Sequence, residues 1–387
     1  MGNQISQKNT KEEELLSKWS SKEQEQLNQT KDLPSCFVKE LFASFTEHAT
    51  RTEYLETAYK LVKLKDTDSI YPFFQTCVHK YNISLKVFVS WIVISAIPLW
   101  FDQKVNTKNY DSSRLVDFLL NHAKEQESQT SQSMDWLLEP GEKKENDHDD
   151  WELKSICSPS QIDSNEFINW LNNTPSFFRL FCLAAEYAFF GSNNAKGLHK
   201  RRLDHMVSPQ LNSITFSELL SPFDYFLLSQ YLPSTSLSSD TKDLSHQLIF
   251  SSKRDGVSWQ VFVNTIVGSG SVLIVIKSKD GSIFGGYVDE TLYQKTDWYG
   301  NTSNFLFQLE PKCGVWLSTS TNDHYQYLCW GKKSLPNGFG MGGQFDYSGL
   351  WIDSDFLHGH SRAGPACSTF KSPQLTQEDT FLVDEVE

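Results

Sequence analysis

The first half of the chain carries apolar residues at the spacing of amphipathic helices. Phe37, Leu41, Phe42 and Phe45 recur three or four residues apart, which places them on one face of a helix. Comparable segments follow at 54–62, 87–97, 115–123, 162–171 and 175–190. Together they predict an all-helical domain over residues 33–205.

From about residue 214 the pattern changes. A last helical stretch leads to a serine-rich connection at 234–245, and short β-type runs follow it. Ser271–Lys277 is a continuous β-branched run of the kind found in buried strands, and Asp280-Gly281 is a strong hairpin signal before the run at 282–288. Further strands are predicted at 304–310, 324–330 and 349–353. We therefore expect two packed antiparallel sheets with a few helices at their edges.

The stretch 256–287 is the most distinctive part of this β-rich half. Ser258 is placed to cap a helix that carries Trp259, Phe262 and Ile266 on one face. Further along, Gly285-Gly286 lies inside a predicted strand, where glycine indicates a bulge or another backbone passing close by.

One stretch, Val87–Phe101, is apolar enough to raise the question of a membrane span. It is shorter than the ~18 to 20 residues that a spanning helix needs, and Pro98 interrupts it. The pattern favours a buried helix that ends at the proline.

Composition and charge narrow the classes of function. The chain has a net charge of −13 and no basic stripe that could bind phosphates, which argues against nucleic-acid binding. Seven cysteines without a C-x-x-C pair fit a reducing compartment better than a disulfide framework. The polar first 32 residues are expected to form a flexible arm, and the acidic stretch 124–150 a disordered loop inside the helical domain.

The chain begins MGNQIS, which is the pattern of an N-myristoylation signal on Gly2. One myristoyl chain binds membranes only marginally, so stable residence needs a second attachment. A polybasic patch is not available, because Glu12, Glu13 and Glu14 follow closely. We expect the second attachment to be a protein.

Two segments offer oxygen or nitrogen ligands for a metal ion. Residues 163–174 have the length of a calcium loop, but position six is Ile168 and position twelve is Thr174, which argues against calcium. His358 and His360 lie near Asp353 and Asp355, a set that could hold zinc or iron. The segment is rich in glycine and serine, so a solvated loop is the preferred interpretation and no metal site is predicted.

The remaining candidate chemistry is also weak. The glycine-rich stretch 338–343 lacks the following Lys-Ser/Thr of a phosphate loop and is better explained by close backbone packing. Cys313, Cys329 and Cys367 could react with peroxide if exposed, although free cysteines in a β-rich core are usually inert. With no nucleophile elbow and no acid–base carboxylate pair, the sequence predicts no catalytic residue and no cofactor.

The β-rich half resembles the TLDc domain, over residues 212–387. The resemblance rests on the stretch 256–287 and on these further landmarks, in order: Leu219-Leu220-Ser221, Leu232-Pro233, Phe305-Leu306-Phe307, Gly338-Phe339-Gly340, Leu350-Trp351-Ile352-Asp353 and Ser368-Thr369-Phe370. It implies an α+β chain in which an amino-terminal all-helical domain precedes a TLDc β-sandwich with flanking helices. The segment 164–181 also resembles the degenerate EF-hand-like helical domain of the lysosomal, mTOR-linked branch of that family.

What the resemblance implies is a non-enzymatic regulator at the cytoplasmic face of the lysosomal membrane. Its implied partners are the vacuolar-type proton ATPase and mTOR complex components, with the membrane reached through a myristoyl group on Gly2. The alternative is a TLDc antioxidant protein that protects against oxidative stress through its thiols. A Rab GTPase regulator ranks third, because the first 210 residues contain no recognisable GTPase-activating domain.

Overall fold

A computed structural model describes the protein at residues 13–18, 21, 24, 55–56, 58–64, 70–101, 110–121, 162–190, 217–233, 247–362 and 367–387. The chain divides into two compact units, Met1–Ser208 and Pro209–Glu387. Gly2, the helix predicted around Phe37–Phe45 and the acidic stretch 124–150 lie outside the described residues, as does most of the arm 1–32.

The described part of the first unit is helical. A π-helix spans Tyr59–Leu64, and the α-helices are Ile70–Tyr81 (α1), Leu85–Trp100 (α2), 113–121 (α3), Ser164–Asn172 (α4) and Pro175–Phe190 (α5). The Ser84 side chain caps α2 by accepting from Val87 N, which satisfies one of the amide groups left without a partner at a helix start. Asp163 and Glu166 form a capping box at the start of α4.

A cluster of phenylalanine rings holds these helices together. Phe88 of α2 is fully buried and lies 5.2 Å, centroid to centroid, from Phe74 of α1. It also contacts Phe177 and Phe181 of α5, at 6.2 and 6.3 Å. Separately, Trp170 Nε1 donates to the Leu119 carbonyl at 3.0 Å, which joins α4 to α3. Aromatic rings therefore lie where α1, α2 and α5 meet.

The structure differs from the predicted helices in two places. The sequence pattern did not predict α1, which lies between the segments at 54–62 and 87–97. Pro98 does not end α2, because the helix continues to Trp100. Proline lacks the N–H that would bond the carbonyl four residues earlier, so the last turn of α2 forms with one backbone hydrogen bond fewer. Across the described residues, no helix combines the length and apolarity needed to cross a membrane.

In its described residues, the second unit combines three short helices with one antiparallel sheet. The helices are Pro222–Ser229 (α6), Ser252–Asp255 (α7) and Trp259–Ile266 (α8). The strands are Val272–Ser278 (β1), Ile283–Val288 (β2), Phe305–Glu310 (β3), Gly314–Leu317 (β4), Tyr327–Cys329 (β5), Gly338–Met341 (β6), Leu350–Asp353 (β7), His358–His360 (β8) and Thr380–Val386 (β9). Their order in the sheet is β4-β3-β2-β1-β9-β8-β7-β6-β5. The α+β prediction is therefore confirmed.

Strand β9 joins the two halves of the sheet. Its first residues pair with β8, with Thr380 opposite His360 and Leu382 opposite His358. Its last residues pair with β1, with Val386 opposite Ile276. The strands therefore form a single sheet, where the sequence predicted two. Side chains from both halves nevertheless share one hydrophobic core, which includes Ile274, Phe284, Phe339, Ile352 and Val386.

Local signals in the stretch 256–287 are confirmed. Ser258 caps α8, and Phe262 and Ile266 are buried. The turn between β1 and β2 has Gly281 at φ +90°, a left-handed conformation that favours glycine. Gly285 opposes Val275 in the register, and a Cβ on Gly285 would lie 1.9 Å from the Ile274 carbonyl oxygen. The glycine pair thus allows the close backbone approach that the sequence indicated, beside a register shift at Ile283/Phe284.

Candidate binding surface

A tight turn between β7 and β8 builds the part of the second unit that is most suited to binding. Asp355 Oδ1 accepts hydrogen bonds from Leu357 N at 2.9 Å and from His358 N at 3.0 Å. His358 Nδ1 lies 2.5 Å from Asp355 Oδ2. Partial burial raises the pKa of Asp355, but these hydrogen bonds outweigh that effect and hold the pKa below its ordinary value. The carboxylate therefore fixes the turn.

The turn points one aromatic side chain inward. Phe356 adopts φ +61°, a conformation uncommon for a bulky residue, and its ring is completely buried. The ring centroid lies 4.8 Å from that of Phe262 in α8, 5.9 Å from Phe250 and 6.1 Å from Trp259. Because packing on three aromatic rings offsets the backbone cost, the turn has one well-defined shape.

The same turn leaves apolar side chains in solvent. Leu357 is 50% exposed, Leu382 of β9 is 51% exposed, and Val257, just before α8, is 57% exposed. Leu357 and β9 are adjacent, because Val383 N donates to the Leu357 carbonyl at 2.8 Å. We call Leu357 and Leu382, together with the turn at Asp355, the corner surface. Apolar groups on a rigid support are suited to protein contact and provide no reactive group.

The sequence did not predict the corner surface, although it held one signal. In β9, Phe381 and Val383 are buried and Leu382 between them is exposed. Side chains alternate between the two faces of a strand, so the solvent-facing positions of β9 are expected to be polar. Leu382 is an apolar exception, which can be recognised once the strand is known.

The solvated loop predicted for His358–His360 is wrong, because these residues form strand β8 between β7 and β9. His360 is half-buried, and its ring stacks on that of Trp351 at 5.9 Å. His358 is exposed and is held by Asp355. Throughout the described part of the chain, no three histidine, cysteine, aspartate or glutamate side chains are grouped as metal ligands would be.

His360 is expected to make stability depend on pH. Burial, with a further contribution from the Arg362 guanidinium, lowers the pKa of His360 from its ordinary value of 6.5; Asp353, Asp346 and Asp379 oppose this shift. The unfolded chain therefore takes up a proton at this residue before the folded chain does, so stability falls as the pH drops below about 6.5. Urea unfolding midpoints at about pH 7.5 and about pH 5.5 measure the effect.

His360→Phe tests the assignment, since phenylalanine retains a ring for Trp351 but does not titrate. Its midpoint should change less between the two pH values than that of the wild type. Equal changes in the two proteins would contradict the role of His360.

The glycine-rich stretch 338–343 is a packing feature, as the sequence indicated. Residues 338–341 form β6, and the Trp351 indole covers Gly338 and Gly340. A Cβ on Gly340 would lie 2.6 Å from Trp351 Cε3, and one on Gly338 would lie 2.3 Å from the Ile352 carbonyl oxygen. The glycines thus make room for a neighbouring strand and its tryptophan.

The segment 163–174 has the geometry of a capped helix. Asp163 accepts from Asn165 N and Glu166 N, and α4 fills most of the segment. Thr174 is buried and its hydroxyl donates to the Trp170 carbonyl at 2.8 Å. The Asp163 carboxylate, which would be the first ligand of a calcium loop, is engaged in helix capping.

The three cysteines of interest differ in exposure. Cys329 and Cys367 are buried in the second unit, whereas Cys313 is half-buried. Buried thiols without access to reagent are slow to react, so only Cys313 has partial access to peroxide. The predicted lipidation site, Gly2, lies outside the described residues.

Comparison with known proteins agrees with this domain structure. Residues 213–387 match the family model of the TLDc domain. mTOR-associated protein MEAK7 from Gallus gallus is 44% identical over 147 residues, 38% of this chain and 31% of the relative. The same-named protein from Xenopus laevis is 38% identical over 239 residues, 61% of this chain and 49% of the relative. Human oxidation resistance protein 1 is 30% identical over 172 residues, 44% of this chain and 18% of the relative. The match thus spans about half or less of each relative.

Proposed function

We propose that this chain, whose residues 213–387 are a TLDc domain, is a non-catalytic regulatory adaptor in mTOR signalling. It acts at the cytoplasmic face of the lysosomal membrane. The nine-stranded sheet, folded into a sandwich with helices at its edges, serves as a rigid support for partner contacts rather than as a framework for a reaction.

The observation that carries the proposal is the pattern of identity. The relatives named mTOR-associated protein MEAK7 are 38% and 44% identical, above the 30% of human oxidation resistance protein 1. The Xenopus laevis match covers 239 residues and is therefore longer than the TLDc segment 213–387. Part of the helical unit is consequently included in it. The match to oxidation resistance protein 1 from Bos taurus is as long, 244 residues, but only 26% identical, so it is the identity that favours the mTOR-associated relatives.

The proposed partners are mTOR complex components and the vacuolar-type proton ATPase. The corner surface offers them apolar contacts on a rigid turn, with Leu357 and Leu382 half exposed. A myristoyl group on Gly2 restricts the protein to the membrane, and a protein contact there increases residence through effective concentration. A net charge of −13 disfavours binding to anionic lipid through charge alone.

Proximity labelling in cells tests this proposal. The wild type should label lysosomal membrane proteins and mTOR complex components, and Gly2→Ala should label them several-fold less. Leu357→Asp, on the corner surface, should keep the membrane labelling but reduce labelling of partners. Undiminished lysosomal labelling by Gly2→Ala would contradict the lipid attachment, and an absence of mTOR components from the wild-type set would contradict the function.

The likeness to oxidation resistance protein 1 supports a second candidate, a thiol-dependent antioxidant. A variant with Cys313, Cys329 and Cys367 all changed to serine should then lose protection against peroxide in cells. Cys182→Ser is the matched control, because Cys182 lies in the helical unit. On the adaptor proposal both variants protect as well as the wild type, provided that the triple variant folds.

A further inference from the structure

Helix α2 carries apolar side chains on both of its faces. Its inner face is buried against the phenylalanine cluster, through residues that include Phe88, Ile92 and Ala96. On the opposite side, Val87, Trp91 and Pro98 are only partly buried, and Ile94 is 49% exposed. These four residues follow one another at spacings of three or four, so they form one stripe, which we call the outer face of α2. A helix at a protein surface ordinarily presents charged residues there.

The outer face of α2 is also free of negative charge. No aspartate or glutamate occurs between Leu85 and Trp100, in a chain with a net charge of −13. The one charged residue in the helix is Lys86, whose ammonium lies 2.6 Å from Asp117 Oδ1. Ser90 and Ser95 are the polar residues beside the stripe, and both are small and uncharged. Acidic side chains would be repelled by anionic lipid, and this face has none.

We propose that the outer face of α2 inserts into the lipid interface and is a second membrane attachment beside the myristoyl group on Gly2. This rests on the proposed function, since it assumes a protein that works at a membrane. One myristoyl chain is not sufficient for stable residence, and the acidic chain lacks a polybasic patch. A face with Trp91 and Ile94 provides apolar area, and tryptophan is enriched at the boundary between headgroups and acyl chains.

The depth of insertion follows from the geometry of the helix. The inner face packs in the core of the unit, so only the stripe from Val87 to Pro98 can enter lipid. At 1.5 Å per residue, that stripe is roughly 16 Å long and lies parallel to the membrane surface. The helix is therefore expected to lie on the membrane rather than cross it, which agrees with its length.

Vesicle flotation of the full, myristoylated chain tests the proposal. The vesicles are phosphatidylcholine with a minor fraction of phosphatidylserine. Ile94→Glu should lower the partition coefficient about tenfold, because it removes apolar contact and adds a negative charge. Ile94→Trp should raise it several-fold. Leu317→Glu, which adds the same charge at a residue of the other unit that is 52% exposed, should leave it unchanged. Circular dichroism of each variant confirms that the fold is retained.

The outcomes separate this proposal from the proposed function. Equal flotation of the wild type, Ile94→Glu and Ile94→Trp would overturn the lipid contact, even if Gly2→Ala abolished flotation and so supported the myristoyl attachment. The same holds if Ile94→Glu reduced binding to a protein partner and left flotation unchanged, since the outer face would then be a protein interface. Weaker flotation of Ile94→Glu beside unaffected Leu317→Glu supports the proposal whichever partner the second unit binds.

Discussion

Gly285→Ala is expected to destabilise the second unit by about 3 kcal/mol or more, the upper part of the range for overpacking a core. The added Cβ would lie 1.9 Å from the Ile274 carbonyl oxygen and 2.8 Å from Phe307 Cζ. The first of these atoms belongs to the backbone of β1, so the clash cannot be relieved by turning a side chain. Separation of β1 from β2 would be needed, in the middle of the sheet. Urea unfolding of the full chain, followed by circular dichroism in the β region, measures the loss.

Gly281→Ala is the matched control for that experiment. Gly281 has φ +90°, and a Cβ built there meets no atom within 4 Å. Its cost is limited to the left-handed backbone, about 1 to 2 kcal/mol for a residue with a side chain. If Gly285→Ala were no more destabilising than Gly281→Ala, the close approach of the strands would not be a constraint on the fold.

Phe88→Ala should destabilise the helical unit by about 3 to 5 kcal/mol, as is usual for removal of a large buried ring. Phe88 is fully buried and contacts rings from both α1 and α5, so its loss leaves a cavity where these helices meet. Loss of helical circular dichroism on heating is the suitable measurement. The transition of the helical unit should shift to lower temperature.

Ile94→Ala, six residues further along α2, provides the comparison. Its side chain is half exposed, and alanine is the best helix former, so the change in stability should be within about 0.5 kcal/mol. A large destabilisation by Ile94→Ala would mean that the outer face of α2 is part of the core, which would also remove the basis for the lipid contact.

Where one local signal dominated, the sequence was sufficient to predict the structure. The β1–β2 hairpin follows from a β-branched run, an Asp-Gly turn and a return strand, and all three are local. The cap of α8 by Ser258 is equally local. To predict the role of the glycine pair in β2, one further rule was needed, namely that glycine within a strand indicates a bulge or another backbone passing close by.

Strands β6 and β8 show why the remainder could not be predicted. Gly338–Met341 has glycine at two of its four positions, and His358–His360 has three residues with little β propensity. Both are strands because of what lies on either side: β6 between β5 and β7, and β8 between β7 and β9. Pairing with strands on both sides outweighs the local preference of these residues, and single-sequence patterns do not contain that pairing.

The corner surface could not be predicted from the sequence, for a related reason. Exposure of Leu357 depends on Phe356 turning inward at φ +61°, and this depends on contacts with Phe250, Trp259 and Phe262, about a hundred residues earlier in the chain. The sequence suggested Asp355 and His358 as possible metal ligands, whereas in the structure they fix the turn. Residue type indicated that the segment was unusual, and only the fold indicated its role.

The position of β9 has a consequence for how the domain is made. β1 and β8 are each flanked on one side by β9, so both remain open edges until residues 380–386 have been synthesised. An unpaired apolar edge can add strands from another molecule, and a partner about a hundred residues away in the chain makes closure slow. Newly made protein should consequently pass through an interval in which these two strand edges can pair with other chains.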